Sequence, residues 1–204
     1  MEVRLKEGGL KVADIGCGHG ISTILMAKAY PNSKFYGFDN HAASIDYARN
    51  KAREEDLDED RIKFEVASST NFSTAPNRTY DFSTSHNQEG ANYDLITFFD
   101  CLHDMEDPQG AASHALKRLK PDGTVMIVEP FANDTVQGNL NPLGRLFYAA
   151  STMVCIPASL SQNGPALGAQ AGEPRISAVI RAGGFKRFRR ATQTSFNIIY
   201  EAKA

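Results

Sequence analysis

The amino-terminal part of the chain reads Leu10-Lys11-Val12-Ala13-Asp14-Ile15-Gly16-Cys17-Gly18-His19-Gly20, and this stretch decides the fold. Its apolar run ends at Ile15 and predicts a β-strand, while glycine at every second position predicts a tight turn. A helix-compatible run over residues 21–30 follows the turn. Because a strand, a glycine turn and a helix bring backbone N–H groups and a helix N-terminus against a small ligand, the pattern favours a nucleotide-like ligand.

The rest of the chain alternates between strand-like and helix-like segments. Further strands are predicted over residues 34–39, 61–66, 93–99 and 124–129, and further helices over residues 42–55 and 108–119. Near the carboxyl end, a helix over residues 176–182 precedes two consecutive strands, 185–191 and 195–202. Such alternation implies a parallel sheet with helices on both faces, and the last two strands imply an antiparallel hairpin at its edge. The predicted fold class is α/β, with a seven-stranded, mostly parallel sheet.

Two segments interrupt this alternation within what we interpret as a single domain over residues 1–204. Residues 69–92 are rich in Ser, Thr, Asn and Asp without periodicity, which predicts a surface loop insertion. Residues 131–172 form an irregular stretch with an apolar patch over residues 143–160. Long loops inside a compact domain are usually functional, so this stretch is the candidate substrate cap. The patch either covers an apolar substrate, which its position favours, or packs against a partner.

Composition argues against several classes of protein. Of the 204 residues, 42% are hydrophobic and 23% are charged, and the formal net charge of -2 provides no electrostatic basis for binding nucleic acid. No run of about 18 uninterrupted apolar residues is present, so we expect no membrane segment. The amino terminus also lacks the apolar core of a signal peptide. The widely spaced Cys17, Cys101 and Cys155 indicate neither a disulfide framework nor a metal site, and they favour a cytoplasmic protein.

The spacing of the glycines narrows the choice of ligand. Dinucleotide enzymes carry Gly-x-Gly-x-x-Gly, whereas this chain carries Gly-x-Gly-x-Gly, so a nicotinamide-dependent oxidoreductase is a weaker alternative. The turn also lacks the Gly-Lys-Ser/Thr of a phosphate-binding P-loop. Asp39 ends the second predicted strand, where a carboxylate can accept hydrogen bonds from both hydroxyls of a ribose. These features favour a ligand that contains adenosine.

Several ordered segments resemble the motifs of class I S-adenosylmethionine-dependent methyltransferases. Residues 12–20 are similar to the family's first motif, 35–39 to its second, 93–104 to its fourth and 119–125 to the turn before its fifth strand. The terminal hairpin is the family's departure from a dinucleotide-binding fold. The sequences Asp-Cys-Leu-His-Asp-Met and Val-Glu-Pro-Phe resemble a bacterial subgroup of small-molecule methyltransferases that carry an amino-terminal winged-helix domain. The resemblance implies a Rossmann-like fold, of which this chain contains the catalytic domain.

The resemblance also implies which residues bind S-adenosylmethionine and its product, S-adenosylhomocysteine. Glycines of the turn let the backbone approach the methionine portion, Asp14 orients the network around it, and Asp39 takes the ribose hydroxyls. Asn40 lies beside the adenine in this interpretation, and a serine substitutes for the acidic residue that often contacts the adenine amino group. The expected cofactor-binding set is Asp14, Gly16, Cys17, Gly18, Gly20, Asp39, Asn40, Ser68, Ser69, Phe99 and Asp100.

His103 is the candidate catalytic residue. An imidazole can remove the proton of an acceptor hydroxyl near neutral pH, although His103 can equally cap the loop after the fourth strand and orient Asp104. The expected reaction is methyl transfer to a small, partly apolar acceptor, with oxygen as the acceptor atom. The alternative is a domain that binds the cofactor without turnover, since only about ten residues precede the first strand. A homodimer or a missing amino-terminal domain is the expected protein partner.

Overall fold

Within residues 1–73 and 93–204, which the computed structural model describes, the chain forms seven strands and seven α-helices. The strands are β1 (Lys11–Ile15), β2 (Lys34–Asp39), β3 (Ile62–Val66), β4 (Tyr93–Phe99), β5 (Leu119–Pro130), β6 (Arg187–Gln193) and β7 (Asn197–Lys203). The helices are α1 (Glu2–Glu7), α2 (Ile21–Ala29), α3 (Ala42–Glu54), α4 (Pro108–Arg118), α5 (Pro142–Ala150), α6 (Ile156–Ser161) and α7 (Gly172–Ala182). Short 3₁₀ turns span Leu102–Asp104 and Gln137–Asn139, and a π-helical turn spans Ser151–Cys155.

All of these strands belong to one sheet, in the order β3-β2-β1-β4-β5-β7-β6. The first five strands pair in parallel, and β7 pairs antiparallel with both β5 and β6, so the predicted fold class is confirmed. The chain moves outward from β1 to β3 and then returns to β4 on the other side of β1. This reversal creates a topological switch point between β1 and β4, where open α/β sheets bind ligands beyond the carboxyl ends of the strands.

Side chains of the strands alternate between two hydrophobic cores, one on each face of the sheet. Val12 of β1 belongs to the core that includes Ile24 of α2. The next residue, Ala13, belongs to the other core, with Ala112 of α4 and Ile180 of α7. Since successive side chains of a strand point to opposite faces, a strand covered by helices on both faces must be apolar throughout. This explains the continuous apolar runs in the sequence.

Of the predicted surface loop insertion at residues 69–92, the described residues 69–73 lie in neither a helix nor a strand, but one of them is not at the surface. Phe72 is fully buried, and its ring centroid lies 5.3 Å from that of Phe38 and 4.5 Å from that of His114. His114 Nε2 also donates a hydrogen bond of 2.8 Å to the carbonyl oxygen of Phe72. Burial of a large aromatic ring is strongly favourable, so Phe72 holds the start of this segment against the core. The rest of the predicted loop, residues 74–92, lies outside the described residues.

The prediction of an irregular stretch at residues 131–172 is wrong for its central part, because Pro142–Ser161 forms one continuous helix of 20 residues. We call this element, which comprises α5, the π-helical turn and α6, the cap helix. Its start is capped by Asn141, whose side chain accepts a hydrogen bond from the Gly144 N–H, and Pro142 occupies the first turn. Pro157 has no N–H to bond the carbonyl of Met153, so the α-helical ladder is interrupted where the π-helical turn lies.

The cap helix carries its apolar side chains outward. Its buried positions are held by small residues, namely Gly144, Ser151, Cys155 and Ser159. Its exposed positions include Leu146, Met153, Val154 and Leu160. Most of the predicted apolar patch therefore faces solvent, and its role as a cap over the substrate stays a prediction. By length and composition alone the cap helix could cross a membrane, so the expected absence of a membrane segment stays a prediction.

An ion-pair network lies at the amino-terminal edge of the sheet, opposite the carboxyl ends of the parallel strands. Asp94, buried at the start of β4, lies 2.9 Å from Lys120 Nζ and 3.3 Å from an Arg4 guanidinium nitrogen of α1. Arg4 also pairs with Asp122 at 3.1 Å. The predicted turn at residues 120–123 lies inside β5, as an irregularity in its pairing with β4. Because α1 contacts the amino-terminal edge of the sheet, it does not cover the crevice at the carboxyl edge.

Candidate cofactor cleft and active site

A cleft of about 320 Å³ opens beyond the carboxyl ends of β1, β2, β3 and β4, at the switch point. Its lining includes five of the predicted cofactor residues: Gly16, Asp39, Asn40, Ser68 and Ser69. The segment after β4 and the end of the cap helix complete the lining, with Cys101, Asp104, Met105, Glu106, Ala158 and Gln162. Cavities of this size are at the lower end of those that hold small ligands. The topology and the sequence motifs therefore indicate the same place.

The glycine turn brings the backbone to the wall of this cleft. Gly16 has φ of +68°, and a Cβ on it would lie 2.9 Å from Cys101 Sγ. Gly18 has φ of +53°, and no described atom lies within 4 Å of the place where its Cβ would be. A residue with a side chain pays roughly 1–2 kcal/mol for such a left-handed conformation. Gly20 differs, because a Cβ there would meet Phe64, so this glycine permits close packing of α2 on β3 and does not face the cleft.

Asp14 is a buried connector beneath the glycine turn. Its carboxylate accepts hydrogen bonds from Ser22 Oγ at 2.6 Å, Thr23 Oγ1 at 2.6 Å and Thr97 Oγ1 at 2.9 Å. Burial raises the pKa of Asp14, and the three hydroxyl hydrogen bonds oppose that rise. Asp14 thus joins β1 to the start of α2 and to β4, and it sets the position of the turn without lining the cleft itself.

Asp39 ends β2 and joins two loops at the cleft. One carboxylate oxygen accepts a hydrogen bond of 2.9 Å from the Gly18 N–H. The other accepts one of 2.9 Å from the His41 N–H. An ionised carboxylate offers about four lone-pair sites, so roughly two acceptor sites remain for a ligand in the cleft. Asp39 therefore has both the position and the unused capacity to accept two ribose hydroxyls.

Six of the eleven predicted cofactor residues are not part of the cleft's lining: Asp14, Gly18 and Gly20, described above, and Cys17, Phe99 and Asp100. Asp100 follows β4 with φ of +49° and accepts a hydrogen bond of 3.1 Å from Asn197 of β7. Phe99 ends β4 and is partly buried. Cys17 is buried in the core that also contains Ile24, and burial raises the pKa of its thiol well above the ordinary value. The structure does not bring these last three side chains to the cleft, and their cofactor roles stay predictions.

His103 forms a buried pair with Glu129, the acidic residue near the end of β5. His103 Nδ1 lies 2.6 Å from Glu129 Oε2, and each side chain is at most 5% exposed. Burial lowers the pKa of His103, but the hydrogen bond and charge of Glu129, together with Asp104, raise it overall to about 10. Among the described residues, no hydrogen-bond partner exists for Glu129 Oε1. The carboxylate holds Nδ1 as a donor, and the ring has a second side-chain hydrogen-bond partner, Cys155, on the side of Nε2.

The cap helix closes over the turn that holds His103. Ser159 Oγ donates a hydrogen bond of 3.0 Å to the carbonyl oxygen of Met105, and the Gly168 N–H donates one of 3.1 Å to that of His103. Cys155 Sγ lies beside the His103 ring, at the buried face of the π-helical turn. Only 3% of His103 is exposed, so a molecule that reaches Nε2 must displace the cap helix.

Sequence reasoning missed Glu129 and Cys155 as site residues. An acidic residue inside an otherwise apolar strand is a usable signal for Glu129, since a buried carboxylate requires a partner. Cys155 carries no such signal, because only the fold of the cap helix brings it to His103. A second cavity of about 480 Å³ lies between the start of the cap helix and the turn from β6 to β7. It contains none of the predicted site residues, and its Asn139 side chain is already bonded to Asn133.

Comparison with known proteins agrees with this geometry. A family model described as "Methyltransferase domain" matches residues 6–171. The ubiquinone biosynthesis O-methyltransferase of Actinobacillus pleuropneumoniae is 32% identical over 117 residues, which cover 57% of this chain and 44% of that protein. An O-methyltransferase family protein from Burkholderia thailandensis has a TM-score of 0.68 and 20% identity, over 99% of this chain and 55% of that one. PigF, solved with SAH, has a TM-score of 0.68 and 15% identity, over 95% and 50% of the two chains.

These matches differ in what they establish. The solved structures are less than 25% identical to this chain, so they show a shared fold alone. The chain spans less than half the length of the curated relative it matches. The family model, in contrast, covers most of the chain and includes the glycine turn, Asp39 and the His103 turn. The chain belongs to the methyltransferase-domain family, among the class I S-adenosylmethionine-dependent methyltransferases that its motifs resemble.

Proposed function

We propose that this chain transfers the methyl group of S-adenosylmethionine to an oxygen atom of a small, partly apolar acceptor. The observation that carries the proposal is the position of the His103–Glu129 pair. The turn that holds His103 also contributes Asp104 to the cleft, in which Gly16 and Asp39 lie. A buried base and a cleft for the cofactor therefore share a single turn.

The cleft fits the proposed cofactor in two respects. Asp39 retains acceptor capacity for two ribose hydroxyls, and its neighbour Asn40 lines the adjacent wall, where the adenine would lie. Gly16 leaves room that a Cβ would fill, beside Cys101, for the methionine portion. The bound cofactor supplies a methyl group on a sulfonium, which is its own leaving group. The main task of the chain is therefore to hold an acceptor oxygen in line with that methyl group.

In the proposed reaction His103 Nε2 accepts the proton of the acceptor hydroxyl. Glu129 fixes the orientation of the ring and stabilises the imidazolium that forms, since its charge lies 2.6 Å from Nδ1. With its pKa raised to about 10, His103 is protonated near neutral pH, so Nε2 must first release its own proton, and we expect turnover to rise as the pH approaches 10. Two of the compared proteins are named O-methyltransferases, which supports oxygen as the acceptor atom.

A second candidate function is binding of the cofactor without turnover. The observation that favours it is the closed cap helix, which leaves His103 only 3% exposed. In this alternative a further part of the protein is required to displace the cap helix. The chain spans 44% of the relative from Actinobacillus pleuropneumoniae, so a larger protein is compatible with either function.

The two candidate functions are separated by binding and turnover measured on the same sample. Calorimetric titration with S-adenosylmethionine and S-adenosylhomocysteine tests the cleft, and transfer of a labelled methyl group to a panel of phenols, acids and amines tests the reaction. We expect micromolar binding and transfer to at least one phenol. Tight binding without any transfer supports the binding-only alternative. No binding by a folded sample refutes both.

The role of His103 is tested by His103→Gln in the same assays. As a general base it contributes roughly 10²–10⁴ in turnover, so kcat should fall by that factor with an unchanged dissociation constant for the cofactor. Glu129→Gln should also lower kcat, because it removes the charge that stabilises the imidazolium. A fall of less than about fivefold in kcat for His103→Gln, well below the range for a general base, would make His103 a structural residue.

A further inference from the structure

We propose that His103, Asp104 and Cys155 form a binding site for a divalent cation of the Zn²⁺ type, between the turn after β4 and the cap helix. One nitrogen, oxygen or sulfur ligand atom of each residue lies within 4.8 Å of the other two. Cys155 is distant from the other residues in sequence, so the spacing of cysteines and histidines predicts no metal site. The fold of the cap helix alone brings the three donors together.

The set of donors matches the chemistry of zinc. Imidazole nitrogen, carboxylate oxygen and thiolate sulfur are its usual protein ligands, at about 2.0–2.3 Å from the ion. Ligand atoms around one tetrahedral ion are then roughly 3.5 Å apart, so donor atoms that lie within 4.8 Å of one another need only a small approach to bind one ion. Three protein ligands leave a fourth position open, as in zinc sites that bind water or a small ligand. Cys155 binds as the thiolate and His103 as the neutral imidazole, so one proton from each leaves to solvent and binding should strengthen as the pH rises.

The surroundings of His103 support the site independently of the three donors. A histidine that binds a metal usually donates its other ring N–H to a carboxylate, which orients the ring and strengthens the metal bond. Glu129 already holds His103 Nδ1 at 2.6 Å, and the other ring nitrogen, Nε2, lies on the side of Cys155, a second member of the donor set. Glu129 Oε1 is buried and has no hydrogen-bond partner among the described residues. A cation beside His103 would offset the buried charge of this carboxylate.

The position of Cys155 defines what the cation would do. Cys155 ends the π-helical turn, a distortion that in α-helices often marks functional positions. A bound ion would join the cap helix to the turn at Leu102–Asp104 and hold it closed. It would also occupy His103 Nε2, so the zinc-bound chain could not use His103 as a base. We therefore expect Zn²⁺ to inhibit methyl transfer. This inhibition rests on the proposed function, whereas the binding of Zn²⁺ does not.

The binding test uses Co²⁺ as a spectroscopic substitute for Zn²⁺ on the full chain. Titration should reach one ion per chain and produce a thiolate-to-Co²⁺ charge-transfer band, which equimolar Zn²⁺ removes. Cys155→Ser should abolish the band, and His103→Gln should weaken Co²⁺ binding at least tenfold. Cys17→Ser and Cys101→Ser are the matched controls and should keep the band, since neither thiol belongs to the cluster. Thermal melting of each variant identifies any that is not folded, and Cys155→Ala replaces Cys155→Ser in that case.

The outcomes separate this inference from the proposed function. No stoichiometric band in the folded chain, or a band that persists in both Cys155 variants, overturns the metal site even if methyl transfer proceeds. If the folded chain shows the cysteine-dependent band but transfers no methyl group, the metal site is supported and only the proposed function is contradicted. Where transfer is observed, stoichiometric Zn²⁺ should lower it at least tenfold, and Cys155→Ser should be less sensitive to Zn²⁺. Equal sensitivity of Cys155→Ser overturns inhibition through this site.

Discussion

Replacing Asp39 by alanine tests the cofactor cleft most directly. The carboxylate holds the N–H groups of Gly18 and His41 at 2.9 Å each and keeps about two acceptor sites for a ligand. Hydrogen bonds to a charged group contribute roughly 1.5–3 kcal/mol each when buried, and we take about 1 kcal/mol each at this partly exposed position. Loss of two ribose hydrogen bonds then weakens cofactor binding by about 1–3 kcal/mol, or roughly 5- to 150-fold in Kd.

Asp39→Ala also removes two contacts within the protein, so binding and stability must be measured on the same samples. Calorimetric titration with S-adenosylhomocysteine gives Kd, and urea denaturation gives the free energy of unfolding, which should fall by about 1–2 kcal/mol. Asp46→Ala is the matched control, because Asp46 is exposed on α3 and, within the described part of the chain, pairs only with Arg49, at 3.1 Å. An unchanged Kd in folded Asp39→Ala, equal to that of the control, would refute the ribose role.

Three further substitutions test the packing that positions the cleft. Gly16→Ala should destabilise the chain more than Gly9→Ala in urea denaturation, because both glycines have positive φ but only at Gly16 would a Cβ lie 2.9 Å from Cys101 Sγ; equal losses would contradict the steric argument. Phe72→Ala should cost about 3–5 kcal/mol of unfolding free energy, as for other buried aromatic rings, and a loss under about 1 kcal/mol would mean that Phe72 is not part of the core. Burial lowers the pKa of His114 below 6.5, so the unfolded chain binds the proton more readily and stability should fall as the pH drops below about 6.5. His114→Gln should reduce this dependence, and an identical pH profile of the melting temperature would contradict it.

The parallel sheet and the cleft could be predicted because the same residues indicate both the local secondary structure and the order of the strands. The glycine turn shows its strand, its turn and its helix within one short stretch, and positive φ at Gly16 and Gly18 agrees with the alternate spacing. The place of Asp39 in the cleft was predictable because the carboxyl end of the second strand must meet the crevice in this topology. Such features depend on chain order and on backbone conformation, which a sequence encodes directly.

The cap helix could not be predicted, because its amphipathic pattern is the reverse of the usual one. Amphipathic helices normally bury large apolar residues, whereas this one buries small residues such as Ser159 and exposes large ones such as Met153, 79% exposed. Its inward face consists of residues that favour turns, and Pro157 within it predicts a break. The burial of this face is explained only by its tertiary contacts, such as the hydrogen bond from Ser159 Oγ to the carbonyl oxygen of Met105.

The contacts of the cap helix also set the cost of reaching His103. Opening must break the hydrogen bond from Ser159 to Met105 and the one from Gly168 to the carbonyl of His103. At roughly 0.5–1.5 kcal/mol net for each bond, their loss costs about 1–3 kcal/mol. This cost is a minimum, because opening also exposes the buried positions of the cap helix, and a ligand that binds the open state preferentially can shift the population. Acceptor binding can therefore supply the opening energy, whereas an ion bound to Cys155 would oppose it, so both proposals depend on the same movement of the cap helix.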